Sequence, residues 1–314
     1  MQRKTITLFL ILAGIFLQAS AQQFHSAADY NNYIVEEQSR IIKENLEYIS
    51  KSVHSNNATR IESRRLEVLK QIDKSLEKIK RMPDFEGNVD FRNEVLVGMQ
   101  LFRQAYESRY KEASDLYPTR EQSYEAMERY YALQDSAESE IKSANERIQI
   151  AQKEFAAKNN IKLVSDDKKN KIFANISLVN KYTHDIFLIY FRVSKSNASF
   201  HDAFSTKNSQ LMDEKRIQLS TDAQNALEKL TKLKSLNNES QYKLKAQKLI
   251  EFYKTIANKD YKDFVTILDK EEKTKADVDK FNRSVDLINT KSNLLFKEFQ
   301  EAQITLMRKY IPEM

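Results

Sequence analysis

The chain predicts an all-α fold: two tandem antiparallel four-helix bundles of long helices, the second an internal duplication of the first, behind an N-terminal signal peptide. Three observations predict it. Only three glycines and three prolines occur in 314 residues, too few for the tight turns that strand connections need. Apolar residues recur at spacings of three and four along most of the chain, which is the helical period. And the pattern returns: an offset of 151 places Leu76-Glu77-Lys78-Ile79 on Leu227-Glu228-Lys229-Leu230 and Tyr110-Lys111 on Tyr261-Lys262. A fixed period of that kind is the mark of a duplicated unit.

The elements follow in order. Arg3 and Lys4 form a positive n-region, Ile6 to Leu17 an apolar h-region, and Ala19-Ser20-Ala21 a small-x-small cleavage site, so residues 1–21 read as a signal peptide. The apolar stretch falls short of the roughly 20 residues a membrane span needs; left uncleaved, it would be an N-terminal anchor. The first bundle is expected over residues 22–161. Ser26 and Asp29 start its first helix, and Ser55-Asn56-Asn57 separates that helix from the second. Leu69, Ile72, Leu76 and Ile79 share one face of the second helix. Met82 to Asn88, which contains Pro83 and Gly87, ends it. Phe91, Val95, Met99, Phe102, Tyr106 and Tyr110 continue the stripe on a third helix. Pro118 closes that helix, and Thr119 with Gln122 has the spacing of a capping box for the fourth. Gly98 falls in the middle of the third helix, where glycine costs about 1 kcal/mol, so a close helix approach is expected there.

The second bundle is expected over residues 162–314. Asn159-Asn160 to Asp167 is the boundary, Asn237-Asn238 is a late helix break, and near the start an offset of 149 pairs Tyr33 with Tyr182. The helix around Ile172 to Val193 carries six apolar or aromatic residues in sequence, Ile186 to Phe191. One stripe cannot hide such a run. Burial inside this chain is the first expectation; a partner covering Ile186, Phe187, Tyr190 and Phe191 is the other, and these four are the candidate partner interface.

Charge and chemistry narrow the function. The net charge is +6, and loss of residues 1–21 removes two cations to leave +4. Residues 22–161 carry 21 basic and 24 acidic groups, residues 162–314 carry 28 and 21. Acidic neighbours interleave the basic ones throughout, as solvated helix faces do, and no nucleic-acid partner is expected. There is no cysteine, hence no disulfide, thiolate ligand, cysteine nucleophile or lipoprotein anchor. His25, His54, His184 and His201 lack the helical Glu/His spacing of metal bundles, and no phosphate loop, dinucleotide fingerprint or glycine-flanked serine occurs. No catalytic, cofactor-binding or metal residue is assigned, and no cofactor is expected. Glu36-Glu37 and Glu138 with Glu140 are read as solvated helix charge.

The signal ending Ala-Ser-Ala-Gln-Gln, followed by Ala28-Asp29-Tyr30-Asn31-Asn32-Tyr33-Ile34-Val35-Glu36-Glu37-Gln38, resembles uncharacterised exported helical-bundle proteins of Bacteroidota and spirochaetes, described as surface proteins or domains of unknown function. The resemblance implies a Gram-negative envelope location, periplasm or cell surface, and no activity. The expected function is therefore an exported non-catalytic interaction or scaffold component of the bacterial cell envelope, whose partner is a protein or another envelope component. The alternative is a ligand-binding or catalytic bundle with a polar pocket between helices. Inward Tyr, His and carboxylate groups around a pocket would favour the alternative; a solid apolar core with an exposed aromatic patch near Phe187 would favour the scaffold.

Overall fold

The computed structural model describes residues 24–55, 57–164 and 167–311. The signal segment lies outside them. The described residues form ten helices: α1 (Ala27–His54), α2 (Ala58–Lys80), α3 (Asp90–Glu107), α4 (Arg109–Leu116), α5 (Tyr124–Lys158), α6 (Asp167–Ser205), α7 (Ser209–Lys232), α8 (Gln241–Asn258), α9 (Asp260–Asp269) and α10 (Lys275–Tyr310). No strand occurs among the described residues; two isolated bridges, Phe85–Asn88 and Leu236–Glu239, close tight turns. Among the same residues no helix is long and apolar enough to cross a membrane.

Each half is a four-helix plan whose third helix is broken in two. The break falls at Ser108 in the first half and Lys259 in the second, positions without glycine or proline and so invisible to turn chemistry. An arginine marks both, buried in the first half and half-buried in the second. The Arg65 guanidinium, paired with Glu62, donates to the Tyr106 carbonyl at 2.7 Å. Arg216, paired with Asp213, donates to the Ala257 carbonyl. A guanidinium can present donors to a carboxylate and a carbonyl together, and here it ties α2 to the break in α3–α4 and α7 to the break in α8–α9.

The offset of 151 runs through these landmarks. Asn57 and Asn208 cap α2 and α7, each side chain accepting from the backbone N–H three residues on at 3.0 Å. The bridged turns use left-handed backbone at Glu86 and Gly87 and at Asn237 and Asn238, residue types that tolerate it or, for Glu86, are held there by the turn. Ser123 caps α5 and Thr274 caps α10, the latter in a full capping box with Asp277. Thr119 therefore does not start the fourth helix: it lies in the turn after α4, and Ser123 accepts from the Ala126 N–H instead. In the first helices the register is 152, and it returns to 151 by Asn57 and Asn208, which cap the helices that follow. Tyr30, Ile34, Ile41, Asn45 and Tyr48 correspond to Tyr182, Ile186, Val193, Asn197 and Phe200, and all but Asn197 are buried. The counterpart of Tyr182 is thus Tyr30, whose ring is buried, and not the half-buried Tyr33.

One contiguous core passes through both halves. Gly98 meets α5 closely, as a mid-helix glycine should: a methyl there would sit 2.7 Å from Ile148 Cδ1. Glu37, read from sequence as solvated, is inside; its carboxylate accepts from Ser75 Oγ at 2.8 Å and pairs with Lys78 at 2.7 Å. The halves meet along α5 and α6. Arg192 stacks over Tyr124 at 3.7 Å, Tyr131 over His184 at 3.9 Å, and His54 Nε2 reaches the Ile311 carbonyl at 3.4 Å.

Candidate functional site

A cavity of about 590 Å³ opens where the halves meet, between the C-terminal turn of α1, the α4–α5 connection, α5, α6 and α10. That volume suits an organic molecule of ordinary size. Its formation follows from the sequence of α6. The run from Ile186 to Phe191 carries more apolar surface than one helix face can hide, so it packs on both sides. Ile186 is fully buried, and Tyr190 and Phe191 are buried; Phe187 is half-buried. Phe187, Tyr190 and Phe191 line the cavity. Of the four candidate interface residues, Ile186, Tyr190 and Phe191 are thus buried within the chain, and Phe187 is half-buried at the cavity. Phe187 stacks on Phe191 at 5.5 Å and meets Tyr131 edge-on at 5.8 Å. Tyr190 stacks on Phe296 of α10 at 5.9 Å.

The polar wall comes from facing positions of α5 and α6. Glu138 and Asn180 face each other, and the Asn180 Nδ2 donates to Glu138 Oε1 at 2.5 Å. One turn away, His184 Nδ1 lies 2.9 Å from Asp135 Oδ1. An ionised carboxylate only accepts, so Nδ1 carries the proton in this pair. Burial pushes the Glu138 carboxyl up to about 7, against the Asn180 hydrogen bond, which favours the charged form. Asp135, three residues earlier, pushes the same way. The Asn180 Oδ1 is buried and has no hydrogen-bond partner among the described residues.

The remaining groups are neutral or matched. Burial raises the Tyr130 phenol to about 12 and holds those of Tyr48, Tyr110 and Tyr131 above their ordinary value, so all four are protonated donors at neutral pH. Arg120 lies over the Tyr117 ring at 3.6 Å, donates to the Tyr117 carbonyl, and pairs with Glu121 at 3.1 Å. Among the described residues, no three His, Asp or Glu side chains come together to hold a metal. The arrangement can enclose an apolar body and hold one polar head; the carboxylate and imidazole that face it are tied to Asn180 and Asp135.

Sequence reasoning reached the aromatic side of this site and missed the polar one. Glu138 had been read as solvated; it faces the cavity, while its neighbour Glu140 pairs with Arg109 at 3.0 Å on the surface. A signal was present. Gln134 and Glu138 flank the apolar stripe of α5 at Leu133 and Ala137, and Asn180 and His184 are buried on α6, each pair at a spacing of four. Polar residues so placed on both facing helices mark a polar chamber. Compared with known proteins, the chain matches no family model, no curated protein and no solved structure.

Proposed function

We propose that this is an exported, non-catalytic binding protein of a Gram-negative envelope, and that the cavity between its two halves takes an organic ligand. One observation carries the reading: a chamber of about 590 Å³ whose wall combines aromatic rings with a small polar group set formed by Glu138, Asn180 and His184. Apolar lining with few, convergent polar groups is the usual composition of a ligand site. Export rests on Arg3, Lys4, the run from Ile6 to Leu17 and Ala19-Ser20-Ala21. A scaffold presenting an aromatic patch near Phe187 has less support, because those rings are used in covering the cavity and α10.

The test is a thermal-shift screen of the purified chain against a small-molecule panel, run beside Ser194→Trp. Ser194 lines the cavity, and an indole there takes up part of it. Compounds that raise Tm in the wild-type chain and lose their effect in a stably folded Ser194→Trp support the reading. If no compound shifts the wild-type chain, and Ser194→Trp unfolds early as an over-packed core would, the cavity is not a binding site.

A further inference from the structure

We propose that the cavity selects an organic cation, a primary ammonium on an apolar or aromatic stem, with the ammonium held at Glu138 and the stem among the rings of Tyr131, Phe187 and Tyr190. The inference rests on the reading of the cavity as a ligand site and adds the chemistry of the ligand.

A carboxylate stands on the wall without a cation. Glu138 receives hydrogen bonds from Asn180 and from Ser177, and among the described residues no lysine or arginine pairs with it. The other limb of the Asn180 amide, Oδ1, has almost no exposed surface and receives no hydrogen bond among the described residues. Buried acceptors without donors are uncommon in folded proteins. A ligand that completes this wall must donate to Glu138 and match its charge. A primary ammonium, with three N–H groups and a positive charge, does both. A ligand carboxylate or phosphate would face Glu138 as a second anion.

The surroundings agree in sign. Asp135 adds negative potential beside Glu138. The phenols of Tyr48, Tyr106 and Tyr110 on α1, α3 and α4 lie within electrostatic reach of it and are neutral. Aromatic faces attract cations. The arginine of the cavity wall, Arg120, is matched by Glu121 and by the Tyr117 ring, so it offers no open anion site. On α6 the ionisable group is His184, which is paired with Asp135; α10 contributes Gln300, Gln303 and Met307, none of them charged.

The test is titration calorimetry on the full chain with phenethylamine, 2-phenylethanol and 3-phenylpropionate, which share a ring and differ in the head group. Phenethylamine is expected to bind about tenfold or more tightly than the alcohol at pH 8, and the carboxylate least well. Between pH 8 and pH 6 the ionised fraction of a carboxyl at about 7 falls from about nine-tenths to about one-tenth, so the amine should weaken about tenfold while the alcohol does not. Glu138→Gln keeps His184 and Asp135, and should bring the amine to the level of the alcohol and abolish its pH dependence. The pH series on the unaltered chain tests the same point without any substitution. Equal binding of amine and alcohol, or tightest binding of the carboxylate, overturns the ammonium inference and leaves the cavity reading standing. No binding by any of the three also overturns it, and with a silent panel overturns the cavity reading as well.

Discussion

Replacing Gly98 by alanine probes the closest approach of α3 to α5, which anchors the helix forming one wall of the cavity. Two effects oppose. Alanine is the better helix former by about 1 kcal/mol in a helix interior. Its methyl, however, would lie 2.7 Å from Ile148 Cδ1, closer still to Ile148 Cγ1, and 3.2 Å from the Ala144 carbonyl oxygen. Cγ1 is near the root of a β-branched side chain and cannot swing away without leaving its rotamer. Ile148 is itself buried in the core, so α3 and α5 must separate. Over-packing of this kind costs about 2–3 kcal/mol, and the balance is a loss of about 1–2 kcal/mol. The assay is a double-mutant cycle by urea unfolding, followed by helical circular dichroism. Ile148→Ala alone should cost about 2–5 kcal/mol. In that background Gly98→Ala loses its clash, refills part of the void and keeps its propensity gain, so it should stabilise by about 1 kcal/mol. The change of sign implies a coupling of about 2–3 kcal/mol. If Gly98→Ala stabilises the wild-type chain, the close approach is not what requires glycine.

Glu138→Gln should alter the pH dependence of stability. The folded-state carboxyl is raised to about 7, above the unfolded value, so its favourable contribution is complete at acid pH and is lost as pH rises through 7. The full shift corresponds to about 3 kcal/mol, and solvent at this half-buried group reduces it to about 2 kcal/mol. Unfolding at pH 8 should therefore show Gln the more stable by about that amount, with no gain at pH 4; a pH-independent difference would refute the burial. Phe187→Glu should unfold the junction instead of freeing a surface. The ring stacks on Phe191 and on Phe299 at 6.4 Å, and a carboxylate there loses both contacts and is set among aromatic rings, so a loss of about 2–4 kcal/mol is expected by calorimetry. A stable variant with an unchanged Tm would return Phe187 to the role of partner contact.

Much of the fold was legible because helices are local. Phe91, Val95, Met99, Phe102, Tyr106 and Tyr110, six positions chosen on period alone, are all buried. Of the four on α2, Ile72, Leu76 and Ile79 are buried and Leu69 is half-buried. Asn57, Ser26 and the turn around Gly87 mark helix ends in sequence and in structure. The repeat of 151 was legible for the same reason, since it is a repetition of local patterns. What escaped was chosen by partners far along the chain. The break at Ser108 has no breaker residue and is tied to α2 by Arg65, some 40 positions earlier. The offset near Tyr33 was misjudged because apolar spacing at helical period fits neighbouring registers about equally, and only burial separated Tyr30 from it.

By itself, then, the sequence determined the helices, most of their ends, their apolar faces and the duplication, because each depends on residues within a turn or two. The tertiary structure alone decided the chamber. Glu138 and Asn180 lie 42 positions apart, and each is an ordinary polar residue on its own helix. They became a hydrogen-bonded pair beside an aromatic cavity only when α6 folded back on α5, and it is desolvation, not residue type, that raises the Glu138 carboxyl.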